Sequence, residues 1–293
     1  MRRFVLKKLI TRIENRFASD GKIKEFILID KYQSSCLDST TSLVDPNSTA
    51  NVVLSLTTYT TRIDHVFLTI ESLGNQTIKP NKIVLWLDEN EFNEESLPGT
   101  LKKQREKGLE IRYTANTGSY KKLFPAIEAF SDTHIITVDD DILYPYDLVE
   151  RLLNHHTKQP LAIIGCRAHK IIRNTDTTPK PYTEWLNEVD KADNNDAFLT
   201  SGGGTLFPHT IDRKAFLNKD LALKLCPNAD DIWINYLAKA SNIEIHKMPL
   251  NTAYRNKFHF LSGDTPELKH INVLGGKNER CLSEMQKEFG FHL

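Results

Sequence analysis

Three adjacent aspartates, Asp139-Asp140-Asp141, follow directly on the apolar run HIITV. Carboxylates one residue apart at the end of a buried strand suit a hard divalent cation, which takes oxygen ligands and neutralises negative charge on phosphate oxygens. Three neighbouring carboxylates also repel one another, and a cation is a natural way to keep them all ionised. The plainer reading is that aspartates close strands as turn or cap residues. The apolar strand in front of them and the features below weigh against it.

A second acid pair, Asp230-Asp231, opens the segment DDIWINYLAKA, whose Ile232, Trp233, Tyr236 and Leu237 fall at helical spacing. Acids in that place satisfy the first N–H groups of a helix. Alternatively, one of them takes the proton of an attacking hydroxyl as a general base. Both hold together if one carboxylate caps while the other faces a site. A third feature, Ser201-Gly202-Gly203-Gly204, is costly in backbone entropy. It makes sense where backbone approaches a ligand closely or takes positive φ, and a bulge or turn is the plainer account. It lacks the GxxxxGK[ST] pattern, so it is no P-loop.

These residues need a frame. From Asn51 onward short apolar runs alternate with amphipathic ones: NVVLSLTTY, KIVLWLDE, LEIRYT and HIITVDDD read as buried strands, separated by segments of helical spacing. That rhythm predicts an α/β fold with a mostly parallel central sheet and helices on both faces. Such sheets bind ligands beyond the carboxyl ends of their strands, where Thr57-Thr58-Tyr59, Asp88 and Asp139-Asp140-Asp141 would meet. After about residue 160 come the strand LAIIGCRA, a long polar stretch to Asp196, the FLTSGGGTLFP loop, the helix at Asp230 and the strand-like IEIHKMPL. Residues 18–50 show no clear period.

The chain has 293 residues, 40% of them hydrophobic and 26% charged, with 38 basic against 38 acidic side chains. A neutral total argues against a whole-surface polyanion binder, and no basic stripe with interleaved aromatics suggests nucleic acid. Cys36, Cys166, Cys226 and Cys281 are scattered without a zinc-type spacing, which fits reduced thiols in a cytoplasmic protein. No run of 18 apolar residues marks a membrane span. The N-terminal MRRFVLKKLITRIENRF sets Phe4, Val5, Leu9, Ile10, Ile13 and Phe17 against Arg2, Arg3, Lys7, Lys8, Arg12 and Arg16. It is read either as a helix on an anionic membrane surface or as one docked on the domain.

Taken in order over about residues 51–290, VVLSLTTYTTRI, NKIVLWLDE, GSYKKLFPAIEAF, IITVDDDILYP, SGGGTLFP and ADDIWINYLA resemble bacterial glycosyltransferases of the GT-A fold. The likeness is greatest to family-2-like enzymes of surface-polysaccharide synthesis, such as capsule and lipopolysaccharide pathways. The resemblance implies a Rossmann-like GT-A sheet, with an N-terminal extension (1–50), a nucleotide-sugar half (51–160) and an acceptor half (161–293). It implies transfer from a nucleotide-sugar, expected to be a UDP-sugar, to a glycan or lipid-linked acceptor with Mn2+ or Mg2+, by an inverting route. In that picture Asp139 and Asp141 of the DxD motif hold the metal, with His259 as a further candidate. Thr57, Tyr59, Arg62, Asp88, Lys121, Lys122, Asp139 and Asp140 meet the nucleotide-sugar, and Gly203 and Gly204 lie on the acceptor side. Asp231, with Asp230 beside it, is the base; the family's pair is Glu-Asp, so the choice between the two carboxylates stays open. A solvated surface face is the plainer account of Lys121 and Lys122. The competing readings are a retaining exostosin-like transferase, a sugar-nucleotide nucleotidyltransferase and a non-catalytic glycan-binding protein. The expected place is the cytoplasm, with peripheral contact at the inner face of the cell membrane left open.

Overall fold

The computed structural model describes residues 22–261 and 276–293. The basic N-terminal stretch 1–17 lies outside them. The chain enters through α1 (residues 22–38) and then alternates β1 (Val52–Thr57), α2 (Val66–Gly74), β2 (Lys82–Asp88), α3 (Gly99–Glu106), β3 (Leu109–Thr114), α4 (Phe124–Ala129) and β4 (His134–Val138). A short β5 (Ile142–Leu143), helix α5 (Leu148–His156) and β6 (Ile163–Gly165) follow. Next come the ribbon strands β7 (Ala168–Lys170) and β8 (Ala197–Leu199), then β9 (Gly203–Phe207), α6 (Lys219–Leu225) and α7 (Asp230–Ala240). The last elements are β10 (Ile245–Lys247), α8 (Tyr254–Lys257), β11 (His259–Phe260) and α9 (Lys277–Phe289).

The seven-stranded sheet has the order β10-β6-β9-β4-β1-β2-β3. Pairs β1–β2, β1–β4, β2–β3 and β6–β10 are parallel. The expected α/β class and mostly parallel sheet are therefore present, with one exception that the βα rhythm does not foretell. SGGGTLFP, expected as a loop, is mostly strand: Gly203–Phe207 form β9, which runs antiparallel between β4 and β6.

Side-chain alternation along the strands explains why both faces are covered. Val52, Leu54 and Leu56 of β1 join one core cluster, together with Ile83, Leu85 and Leu87 of β2. Val53, Val84 and Trp86 belong to the other. With a side-chain period of two, a strand apolar at every position must be buried on both faces. The first cluster packs on α1, α2, α3 and α5; the second packs on α4, α6, α7 and α9. Helix α7 shows its central place by burying Ile232, Trp233, Ile234, Tyr236 and Leu237, and the Trp233 indole donates to the Phe216 carbonyl at 2.9 Å. Residues 18–50, without a readable period, contain α1, which buries only Tyr32 and Cys36 fully and leaves Ile23, Phe26 and Ile27 exposed. All four cysteines are free and buried.

Candidate active site

Strand β4 ends at Val138 and delivers the three aspartates to the carboxyl end of the sheet, where the turn that follows buries them unequally. Asp140 turns inward and is 7% exposed. Its carboxylate accepts from Thr58 Oγ1 at 2.6 Å and Arg62 Nη1 at 2.9 Å, and its carbonyl accepts from Thr69 Oγ1 at 2.8 Å. Asp139 and Asp141 are half-buried, with side chains 34% and 28% exposed. Arg62 also reaches Asp141 at 2.8 Å, so one guanidinium ties the first strand's end to the DxD motif. Burial drives the Asp141 pKa up to about 6, and the charge of Asp139 pushes in the same direction.

Asp139 is held from its backbone side by Tyr144, five residues downstream. The Asp139 amide donates to Tyr144 Oη at 2.8 Å and to the Gly202 carbonyl at 3.0 Å. Tyr144 Oη in turn donates to the same Gly202 carbonyl at 2.5 Å. A Cβ on Gly202 would stand 1.8–2.0 Å from the carboxyl atoms of Asp139, so any side chain here would have to displace that carboxylate. Gly204, at φ +89°, supplies a bulge where the β4–β9 register slips. Gly203 and Gly204 both lie inside β9 and are buried, against Arg167 and against Leu148 and Cys166. Their glycine requirement has this packing cause, while Gly202 is the one that touches the acid.

Lys122 links the two acid groups. Its ammonium lies 2.7 Å from Asp139 and 3.3 Å from Asp230, with the side chain 7% exposed. Lys121 is buried as well, 4.0 Å from Asp88, so neither lysine forms the solvated face considered above. Asp230 also accepts from Ser201 Oγ. Asp231 accepts from the Ser201 amide at 2.6 Å, and Ala229 is the N-cap residue of α7, so the two aspartates stand in the first turn of the helix and no side chain caps it. Burial, followed by the charge of Asp230, raises the Asp231 pKa to about 7.

The remaining predicted residues divide into two groups. Thr57 donates to the Trp86 carbonyl at 2.8 Å and so ties the end of β1 to β2, while the Arg62 guanidinium sits 5.3 Å from the Tyr59 ring centroid and links Tyr59 to the DxD cluster. Asp88 ends β2, where it accepts from the Asn90 amide at 2.9 Å. His259 lies on β11, beside the segment that follows the DxD motif, where the Leu261 amide donates to the Asp141 carbonyl at 2.8 Å. It pairs with Leu143 across β11–β5, and burial, then Lys24, lowers its pKa. Among the described residues no three His, Cys, Asp or Glu side chains gather as a metal cluster. Two half-buried carboxylates that crowd each other nevertheless fit Mg2+ or Mn2+, which is commonly held by one or two carboxylates with substrate phosphates and water completing the shell. Sequence reasoning did not single out Tyr144 or Arg167, and of the glycine run it carried Gly203 and Gly204 to the site and not Gly202, because the contacts with Gly202 come from residues distant in sequence.

Residues 62–217, more than half the chain, match the family described as Glycosyl transferase family 2, and the chain belongs to that family. It is a glycosyltransferase. No curated protein matches it. Among solved structures it is similar to the mannosyltransferase PcManGT from Pyrobaculum calidifontis in complex with GDP-Man and Mn2+, with TM-score 0.49 and 11% identity over 94% of this chain and 74% of that one. It is also similar to S. aureus TarS 1-349, with TM-score 0.47 and 12% identity over 82% of this chain and 72% of that one.

Proposed function

We propose that this glycosyltransferase moves a sugar from a nucleotide-sugar, with UDP the expected nucleotide, to a glycan acceptor of surface-polysaccharide synthesis, with inversion. Residues 51–160 serve the donor and residues 161–293 the acceptor. The observation that carries this reading is the pairing of Asp139 and Asp141 with a separate, half-buried Asp231, bridged through Lys122 and the Ser201-Gly202 turn. Asp139 and Asp141 would hold a divalent cation, which supplies counter-charge to the departing diphosphate. Thr57, Tyr59, Arg62 and Asp88 orient the nucleotide at the ends of β1 and β2. Asp140, locked by Thr58 and Arg62, fixes the angle at which its neighbours leave the strand. Asp231 takes the proton from the acceptor hydroxyl as that oxygen attacks the anomeric carbon.

No helix among the described residues is long and apolar enough to cross a membrane. The basic, apolar-striped sequence at residues 1–17 supports reversible contact with an anionic membrane surface at the inner face of the cell membrane.

The test is donor hydrolysis and transfer across a panel of nucleotide-sugars with Mn2+ or Mg2+, followed by NMR of the product's anomeric configuration. Chelation with EDTA is expected to abolish turnover, and added metal to restore it. Asp141→Asn should lower metal-dependent turnover by roughly a hundredfold or more. Full activity in chelator removes the metal from the account, and a retained anomeric configuration removes inversion.

A further inference from the structure

Beside the Ser201-Gly202 turn lies a charged cluster that the reaction above does not use. Arg167 follows β6 closely enough that a Cβ on Gly203 would stand 2.5 Å from its own Cβ, and its carbonyl accepts from the Thr200 amide at 3.1 Å. Its guanidinium grips Glu188 through Nη2 at 2.8 Å and Nε at 3.1 Å. Arg255 holds the same carboxylate through Nε at 2.9 Å and Nη2 at 3.0 Å. Glu188 adopts φ +52°, a left-handed backbone that is uncommon for a residue with a side chain. Its amide is fixed by His169 Nδ1 at 3.1 Å.

Two cations therefore share one anion, which leaves the cluster a net positive charge. A guanidinium has five N–H donors, and Glu188 engages two from each arginine. The rings of Tyr254 and Phe260 set the planes of the heads without engaging donors: Arg167 lies 5.7 Å and 5.6 Å from their centroids, and Arg255 lies 4.3 Å from Phe260. Arg255 is 56% exposed and Arg167 20%. Asp139 and Asp231 both act on the Arg167 charge, so this head stands within electrostatic reach of both acid groups.

We propose that Arg167 and Arg255 form an oxyanion-recognition site on the acceptor side, which takes a phosphate or carboxylate carried by the acceptor beside the hydroxyl presented to Asp231. The proposal rests on the assignment of the Asp231 side to the acceptor. Glu188 holds two like-charged heads together at a spacing they would not keep alone, and their remaining donors suit a multidentate oxyanion. Neutral sugars would gain nothing from the net charge.

The experiment measures binding by ligand-observed NMR for glucose, glucose 6-phosphate and glucuronate, with UDP and Mg2+ in excess to occupy the donor side. Wild type is expected to bind one or both anionic sugars at least about tenfold tighter than glucose, the scale of a charge-assisted contact. Arg255→Ala, at an exposed position, should erase that preference, and Arg167→Lys should weaken it by removing the fork while keeping the charge. Preference for the phosphate alone or the carboxylate alone names the group. Equal binding of the three sugars by wild type overturns the proposal, as does an unchanged preference in Arg255→Ala. Donor hydrolysis by the wild-type protein, measured in parallel, separates this failure from failure of the enzymatic reading, because hydrolysis to water needs no anionic acceptor.

Discussion

Asp230 and Asp231 differ in what surrounds them more than in where they sit. Burial alone would raise the Asp230 pKa, but the Lys122 charge and the Ser201 hydrogen bond outweigh it and hold the value below the ordinary range. At Asp231, burial and the neighbouring Asp230 charge outweigh the Lys122 charge and the Ser201 hydrogen bond and lift the value to about 7. A base is most effective with a pKa near the working pH, so kcat/KM is expected to rise with pH through about 7 as Asp231 loses its proton. The stability consequence has a definite sign. Between the ordinary carboxyl pKa of 3.8 and about 7, the folded state binds more protons at Asp231 than the unfolded state does. Its contribution to stability therefore falls as pH rises across that window. Asp231→Asn removes the titration and should gain stability relative to wild type at pH 8 compared with pH 4, in paired chemical-denaturation curves. An identical difference at both pH values would contradict the raised pKa. Asp139, Asp141 and the acid pair were legible in the sequence as clustered acids behind apolar runs. Lys122 as the cation between them was not, because nothing local brings a residue of the turn at Gly118–Lys122 to Asp230.

At the scale of elements, the carboxylates are aimed by the joint between β4 and β9. The first four strands were readable because each is a short apolar run closed by polar residues. Strand β9 was not, since three glycines mimic a loop, and its pairing with β4 and β6 depends on partners far along the chain. Helix α1 escaped for the opposite reason: its buried stripe is narrow and its exposed Ile23, Phe26 and Ile27 blur the period. The joint makes a test of its own. Gly202→Ala must displace the Asp139 carboxylate, because the new methyl would overlap it. Misplacing a reacting or ligating group by about an ångström costs on the order of a hundredfold in rate. Gly202→Ala is therefore expected to lose about that much turnover while its melting temperature stays close to wild type. Gly99→Ala, whose Cβ meets nothing within 4 Å, is the neutral control. Turnover in Gly202→Ala equal to that of the control would show that Asp139 need not sit where the structure holds it.

The described residues build one seven-stranded sheet covered on both faces, with two two-stranded ribbons beside it, and the acids are collected where β1, β2 and β4 end. A zero formal charge gives it little long-range attraction for a polyanion, which leaves recognition of charged partners to local patches. One such patch is in the sequence at residues 1–17, outside the described residues. Deleting that stretch should release the protein from anionic vesicles in a sedimentation assay and leave donor hydrolysis unchanged. Vesicle binding that survives the deletion would place membrane contact elsewhere.

The central claim is that the two acid groups do different work: one holds the donor's counter-ion, and Asp231 removes the acceptor proton. The most direct measurement compares the rate of sugar transfer by Asp231→Asn, Asp230→Asn and wild type, with donor affinity measured on the same preparations in the presence of metal. Asparagine keeps the shape and can still accept from the Ser201 amide, so the substitution separates proton transfer from folding. Asp231→Asn is predicted to bind donor as wild type does and to transfer sugar at least about a hundredfold more slowly, the loss typical of a positioned base. Asp230→Asn is predicted to fall much less in rate. Transfer by Asp231→Asn at near wild-type rate, with donor affinity intact, would contradict the account.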